Sequence, residues 1–135
     1  MIDFKNKKIL ITGATGGIGG ALVKKFLILG GKVLASGTKN EKLEELKNKY
    51  PNINILKFDI SEHSKIEEFI ENSHSQLSGL DVIVNNAGIT LDNLARPGVV
   101  SKILNSFLSF SLLSGTLNFI PVSYTHLTLP TILLV

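Results

Sequence analysis

Four short apolar runs, Lys7–Thr12, Lys32–Ser36, Ile53–Phe58 and Asp81–Val84, recur along the N-terminal part of the chain. Each is too short for a helix. In the first, Ile9, Leu10 and Ile11 follow one another without a polar residue, the pattern of a strand buried on both faces. The stretches between the runs read differently. Ala21, Leu22, Val23, Phe26, Leu27 and Leu29 recur at helical spacing until Gly30-Gly31 stops them. Glu41–Tyr50 is amphipathic, with Leu43 and Leu46 inward and Glu and Lys outward, and Pro51 ends it. Ser61 is a candidate N-cap for a helix marked by Ile66, Phe69 and Ile70. Strand and helix therefore alternate, which builds an α/β fold: a doubly wound parallel sheet with helices on both faces. Right-handed crossovers then predict the strand order 3-2-1-4, with a switch point between the first and fourth strands. Ligands of such sheets bind at the carboxyl ends of the strands at that point. The loops after Thr12 and after Val84 would both lie there.

The first of those loops is Thr12-Gly13-Ala14-Thr15-Gly16-Gly17-Ile18-Gly19. Gly13 suits a tight turn, Gly17 a close approach of backbone to a pyrophosphate, and Gly19 a helix packed close to the strand. The helix N-terminus adds free N–H groups and partial positive charge. A bare strand-to-helix turn that needs glycines remains the alternative reading. Asp59 ends the third run. It can accept a hydrogen bond from an adenine amino group, cap the helix that follows, or do both. Asn85-Asn86-Ala87-Gly88 ends the fourth run. Asn85 can hold the neighbouring strand end and meet a ribose through its backbone, or the asparagines can form a plain turn.

Together the Thr-Gly-x-x-x-Gly-x-Gly loop, Asp59 and Asn-Asn-Ala-Gly, each at a strand end, resemble the short-chain dehydrogenase/reductase family over about residues 3–95. Within it, Asn85–Thr90 followed by Asp92-Asn93-Leu94, with the opening Met1-Ile2-Asp3-Phe4, is similar to the bacterial 3-oxoacyl-[acyl-carrier-protein] reductases. The resemblance implies a Rossmann-type sheet, truncated here. It implies a nicotinamide dinucleotide held by Gly13, Ala14, Thr15, Gly16, Gly17, Ile18, Gly19, Thr38, Asp59, Ile60, Asn85, Ala87 and Gly88. It further implies reduction of an acyl-carrier-protein thioester by hydride transfer in fatty-acid synthesis, and a homotetrameric full-length enzyme. Sites selective for NAD usually place a carboxylate on the ribose 2′-hydroxyl near the end of the second strand. Here that stretch is Ser36-Gly37-Thr38-Lys39, a hydroxyl and a lysine without an acid, which favours NADP(H) over NAD(H). The arginine that the family often carries for the 2′-phosphate is Gly16 here.

The family's chemistry uses a serine, a tyrosine with a lysine four residues on, and a helix asparagine that anchors a proton-relay water. Tyr124 is followed at that spacing by Thr128, the last lysine is Lys102, and the asparagine would fall at Ser109-Phe110-Ser111, with Asn105 out of line. No catalytic residue is expected among these 135 residues, which read as an N-terminal fragment. A dinucleotide-binding module without chemistry, or a short-chain dehydrogenase of another substrate, are the competing readings.

Composition divides the chain at residue 95. All 11 acidic residues lie at or before Asp92, and beyond Ala95 only Arg96 and Lys102 are charged. Residues 1–95 are expected to be the nucleotide-binding half-domain and 96–135 an atypical apolar segment. In the latter, Val100, Ile103, Leu104, Phe107 and Leu108 suit a helix, whereas Ile103–Val122 as a membrane span is weakened by its Ser, Asn, Thr and Gly. The string Pro121–Thr131 resembles translated sequencing-adapter DNA, which would make 96–120 shifted-frame or chimeric sequence. A sheet ending at the fourth strand would leave that edge open, favouring aggregation. There are no cysteines, and His126 has no acid or second histidine near it, so no metal is expected. His63 and His74 read as solvated, and Phe107, Phe110 and Phe119 as buried or lipid-facing. The net charge of +3 comes from lysines interleaved with glutamates, which argues against nucleic acid. The N-terminal apolar run is too short for a secretory signal, giving a cytoplasmic expectation.

Overall fold

A computed structural model of the chain describes residues 3–87, 120–121 and 131–134. The elements are β1 (Lys8–Thr12), α1 (Gly17–Ile28), β2 (Lys32–Gly37), α2 (Asn40–Lys49), β3 (Asn54–Lys57), a 3-10 turn (His63–Lys65), α3 (Ile66–Leu77), β4 (Val82–Asn85), β5 (Ile120–Pro121) and β6 (Thr131–Leu134). The sheet order is β3-β2-β1-β4-β6-β5. The first four strands are parallel in the expected order 3-2-1-4.

The unbroken apolar runs are explained by what covers the two faces. Ile9, Ile11, Val33, Ala35, Val82 and Val84 point toward α1 and α2, where they meet Val23, Phe26, Leu43 and Ile53. Leu10, Leu34 and Ile83 point the other way and pack on Ile66, Phe69, Ile70 and Leu77 of α3. Successive residues of one strand thus serve opposite cores, so no position on β1 between Ile9 and Ile11 is free to be polar. Gly30, at φ +84°, and Gly31 carry the chain from α1 to β2 as expected.

Three expectations need correction. Ser61 does not cap α3. Its hydroxyl and N–H both donate to the Asp59 carboxylate, at 2.7 and 2.9 Å, so a 3-10 turn intervenes and the helix begins at Ile66. His63 and His74 are half-buried rather than fully solvated. The outer edge of β4 is not open, because β6 runs antiparallel along it with Val84 opposite Ile132 and Asn85 opposite Thr131, and β5 follows outside β6. A strand edge offers unpaired backbone groups to any extended segment, and the last residues of the chain take that place. The helical stripe at 100–108, most of the apolar stretch at 103–122 and of the adapter-like string, His126 and the phenylalanines beyond residue 100 lie outside the described residues. Among the described residues, no helix is long and apolar enough to cross a membrane, and no cluster of three or more His, Cys, Asp or Glu side chains could hold a metal ion.

Candidate dinucleotide-binding site

Parallel register sets Thr12, the last residue of β1, beside Asn85, the last of β4. Thr12 is nearly buried. Its Oγ1 accepts the backbone N–H groups of Asn86 and Ala87, each at 3.1 Å, and donates to Oδ1 of Asn85 at 3.1 Å. One donor and two acceptor positions are all that a hydroxyl has, so it is fully used. Asn86 returns the tie, its Nδ2 donating to the Gly13 carbonyl at 3.1 Å. A further bond, from Ala14 N–H to the Ser36 carbonyl at 2.9 Å, anchors the loop to β2. The loop after β1 is therefore pinned on both sides, to β4 and to β2.

Two of its glycines are required by that closeness. Gly13 has φ +61°, and a Cβ there would lie 2.6 Å from the Asn86 carbonyl oxygen and 2.7 Å from the Ala87 Cα. A Cβ on Gly19 would strike the Gly13 carbonyl and lie 2.7 Å from the Ala14 Cα. The close approach that Gly19 permits is thus to the loop itself rather than to the strand. Gly16 and Gly17 are different. Both are exposed, a Cβ on Gly17 would meet nothing within 4 Å, and one on Gly16 would meet only the Gly13 carbonyl, at 3.7 Å. That open side is the N-terminus of α1, where among the described residues no side chain caps the helix and no acid sits in the first turn. The leading N–H groups of a helix have no intrahelical acceptor, and they carry partial positive charge. The arrangement offers an anion a backbone cradle with room for it. Ile18, 57 % exposed, stands beside the cradle.

The other expected residues sit around this point. Thr15 overlies the end of β2, within 3.2 Å of where a Gly37 Cβ would be. Thr38 follows β2 and is exposed. Thr38 and Asp59 line one cleft of ≈ 500 Å³ with Leu56, Lys57 and Phe58. Phe58 stacks on Phe69 at 4.1 Å between ring centroids. The Asp59 carboxylate is held below its usual pKa by the Ser61 hydroxyl and then by the Ser61 N–H, against a small opposing effect of burial. Its capping alternative is realised in altered form, as a turn with Ser61 rather than a cap on α3. Ile60 is half-buried against the α3 core. Asn85 and Ala87 are half-buried at the end of β4, and Gly88 lies outside the described residues. Thr12 and Asn86, which carry the cross-strand ties, are not among the expected ligand-contacting residues. The signal for them is a hydroxyl at one strand end and a paired asparagine at another, and it becomes readable only once the two strands are known to be neighbours.

Comparisons with known proteins bear on the whole arrangement. A family model described as short chain dehydrogenase matches residues 7–107. The chain is 44% identical over 95 residues to the 3-oxoacyl-[acyl-carrier-protein] reductase FabG of Rickettsia typhi, covering 70% of this chain and 38% of that protein. It is 37% identical over 84 residues to the NADP-dependent 3-hydroxy acid dehydrogenase YdfG of Escherichia coli K12, covering 62% of this chain and 34% of that protein. A short chain dehydrogenase from Bacillus anthracis superposes with a TM-score of 0.71 at 22% identity, over 83% of this chain and 52% of that one. Serine dehydrogenase from Escherichia coli gives a TM-score of 0.67 at 26% identity, over 78% of this chain and 56% of that one. The chain spans about a third of the length of the curated relatives it matches. With its strand order, its three strand-end motifs and this match in agreement, the chain belongs to the short chain dehydrogenase family.

Proposed function

We propose that the chain carries the cofactor-holding half of an NADP(H)-dependent short-chain reductase, and that it binds the dinucleotide without itself reducing a carbonyl. The observation that carries this reading is the open, uncapped N-terminus of α1 at Gly16 and Gly17, on a loop locked by Thr12 and Asn86. In it the pyrophosphate rests on the N–H groups of Gly16 to Gly19, with Gly13, Ala14 and Thr15 shaping the turn beneath. Asp59 and Ile60 flank the adenine, Asn85, Ala87 and Gly88 the adenosine ribose, and Thr38 its 2′-phosphate. In a full-length enzyme the bound nicotinamide would supply a hydride to a carbonyl carbon. The chain's part is to orient it, since neither Tyr50 nor Tyr124 is followed by a lysine four residues later.

The full-length enzyme on this reading is a cytoplasmic homotetramer that reduces 3-oxoacyl thioesters on an acyl carrier protein. The similarity to FabG, over 70% of this chain, supports that substrate class. The similarity to YdfG, an NADP-dependent dehydrogenase, supports NADP(H). A non-catalytic dinucleotide-binding module is favoured instead by the absence of the tyrosine–lysine pair. Fluorescence titration with NADPH and NADH tests the shared part. Tighter binding of NADPH is expected, and binding of neither would overturn it. NADPH oxidation by this chain with an acetoacetyl thioester would overturn the non-catalytic part. A soluble monomer with micromolar affinity for NADPH would favour the module.

A further inference from the structure

We propose that Lys57, at the end of β3, supplies the positive charge that recognises the 2′-phosphate of NADP(H); this rests on the dinucleotide reading above. In sheets of this kind the 2′-substituent of the adenosine ribose lies at the carboxyl end of the second strand. Here β2 ends at Gly37, and the parallel register sets Lys57 directly opposite it. Thr38, the next residue, lines the same ≈ 500 Å³ cleft as Lys57. Thr38 alone offers a neutral hydroxyl, which suits a ribose hydroxyl as well as a phosphate. Discrimination between the two ribose forms needs a cation, because only one form is charged.

The other candidates are spoken for or misplaced. Gly16 has no side chain. The Lys65 ammonium is paired with Glu62 at 2.6 Å, and Lys47 donates to the Ile53 carbonyl at 2.8 Å. Lys39 stands at the N-cap of α2 and does not line the cleft. Lys57 is exposed and makes no ion pair among the described residues. Among the described residues three carboxylates line the same cleft: Asp59, Glu62 and Glu68. Asp59 is engaged by Ser61 and Glu62 by Lys65, which leaves Glu68 on α3 as the one opposing charge not so engaged. Lys57 is on the strand that neighbours Thr38, so among the described residues it is the cation that the topology brings to the ribose.

The test is fluorescence titration of the full chain with NADPH and with NADH, for the wild type, Lys57→Gln, Lys57→Arg and Lys32→Gln. Lys57→Gln is expected to weaken NADPH roughly tenfold and NADH by less than about twofold, as for loss of one charge-assisted contact. Lys57→Arg restores the preference, Lys32→Gln, at the opposite end of β2, leaves it unchanged, and added salt narrows the gap between wild type and Lys57→Gln. NADH binding serves as the internal check that each variant is folded. An unchanged NADPH-to-NADH ratio in Lys57→Gln, an equal loss of both, or a collapse of the ratio in Lys32→Gln overturns the assignment of Lys57. A wild-type chain that binds neither dinucleotide overturns the underlying reading and this one with it.

Discussion

Replacing Thr12 by valine keeps the shape of the side chain and removes only its hydroxyl. The hydroxyl accepts from Asn86 and Ala87 N–H and donates to Asn85 Oδ1, all at 3.1 Å. The losses are unequal. Asn86 N–H retains the Val84 carbonyl at 3.1 Å, and half-buried Asn85 can turn to water. Ala87 N–H keeps no second acceptor among the described residues. One stranded, partly buried donor costs about 1–3 kcal/mol, and each satisfied bond contributes about 1 kcal/mol net. Thr12→Val should therefore destabilise the chain by about 2–3 kcal/mol. Thr12→Ser keeps the hydroxyl and deletes one buried methyl group, for about 1 kcal/mol. The expected order is wild type, then serine, then valine, although valine is the more apolar residue at a site that is 6% exposed. Urea unfolding followed by circular dichroism measures it as a shift of midpoint at constant slope. A valine variant as stable as the serine variant would show that packing, not the hydroxyl, holds β1 to β4 at this end.

Gly13→Ala should cost at least about 3 kcal/mol, from the left-handed backbone and overlap with Asn86 and Ala87, and show as a large fall in urea midpoint. Gly17→Ala should leave that midpoint within about 1 kcal/mol of wild type, because its Cβ meets nothing, while weakening NADPH about tenfold in titration. The Asp59 pKa is lowered in the fold, so its contribution to stability is present above its unfolded value of about 3.9 and is lost as pH falls through the lower folded value. Asp59→Asn should flatten the acid limb of a midpoint-against-pH plot by lowering the neutral midpoint toward the acid value, with little change at the lowest pH. The double variant Ile132→Pro, Leu133→Pro removes N–H groups on both sides of β6, and should raise concentration-dependent association in sedimentation velocity by opening the β4 edge.

The fold was legible where one residue type answers to one burden. Ile9, Leu10 and Ile11 had to be apolar because they face opposite cores, and that continuity marked the strand before any neighbour was known. Gly19 was legible for a related reason, since its spacing from Gly13 reflects backbone contacts within one loop, whereas the closeness that demands Gly13 is to Asn86 and Ala87 after β4. Ser61 was not, because a serine before a helix reads as a cap whether its hydroxyl bonds forward or back to Asp59. Thr12 and Asn86 were hidden by distance along the chain: their bonds join residues 73 and 74 positions apart. The β6 strand carried no signal, since Thr131–Leu134 lacks the flanking alternation that marks a strand, and its pairing depends on a neighbouring edge being free.

The Thr12 hydroxyl has a consequence for how a ligand acts on the whole chain. The cradle does not exist locally. It comes into being only when β1, β2 and β4 have been brought into register, because Ala14 is anchored to Ser36 and Asn86 to Gly13. An unfolded or half-paired chain has no such pocket to offer. A dinucleotide that rests there selects the complete topology and stabilises it by mass action, by about 2.7 kcal/mol at a hundred times its dissociation constant. It would behave as a non-covalent staple across a loop of more than seventy residues, and its presence would register as slowed amide exchange in strands that it never touches.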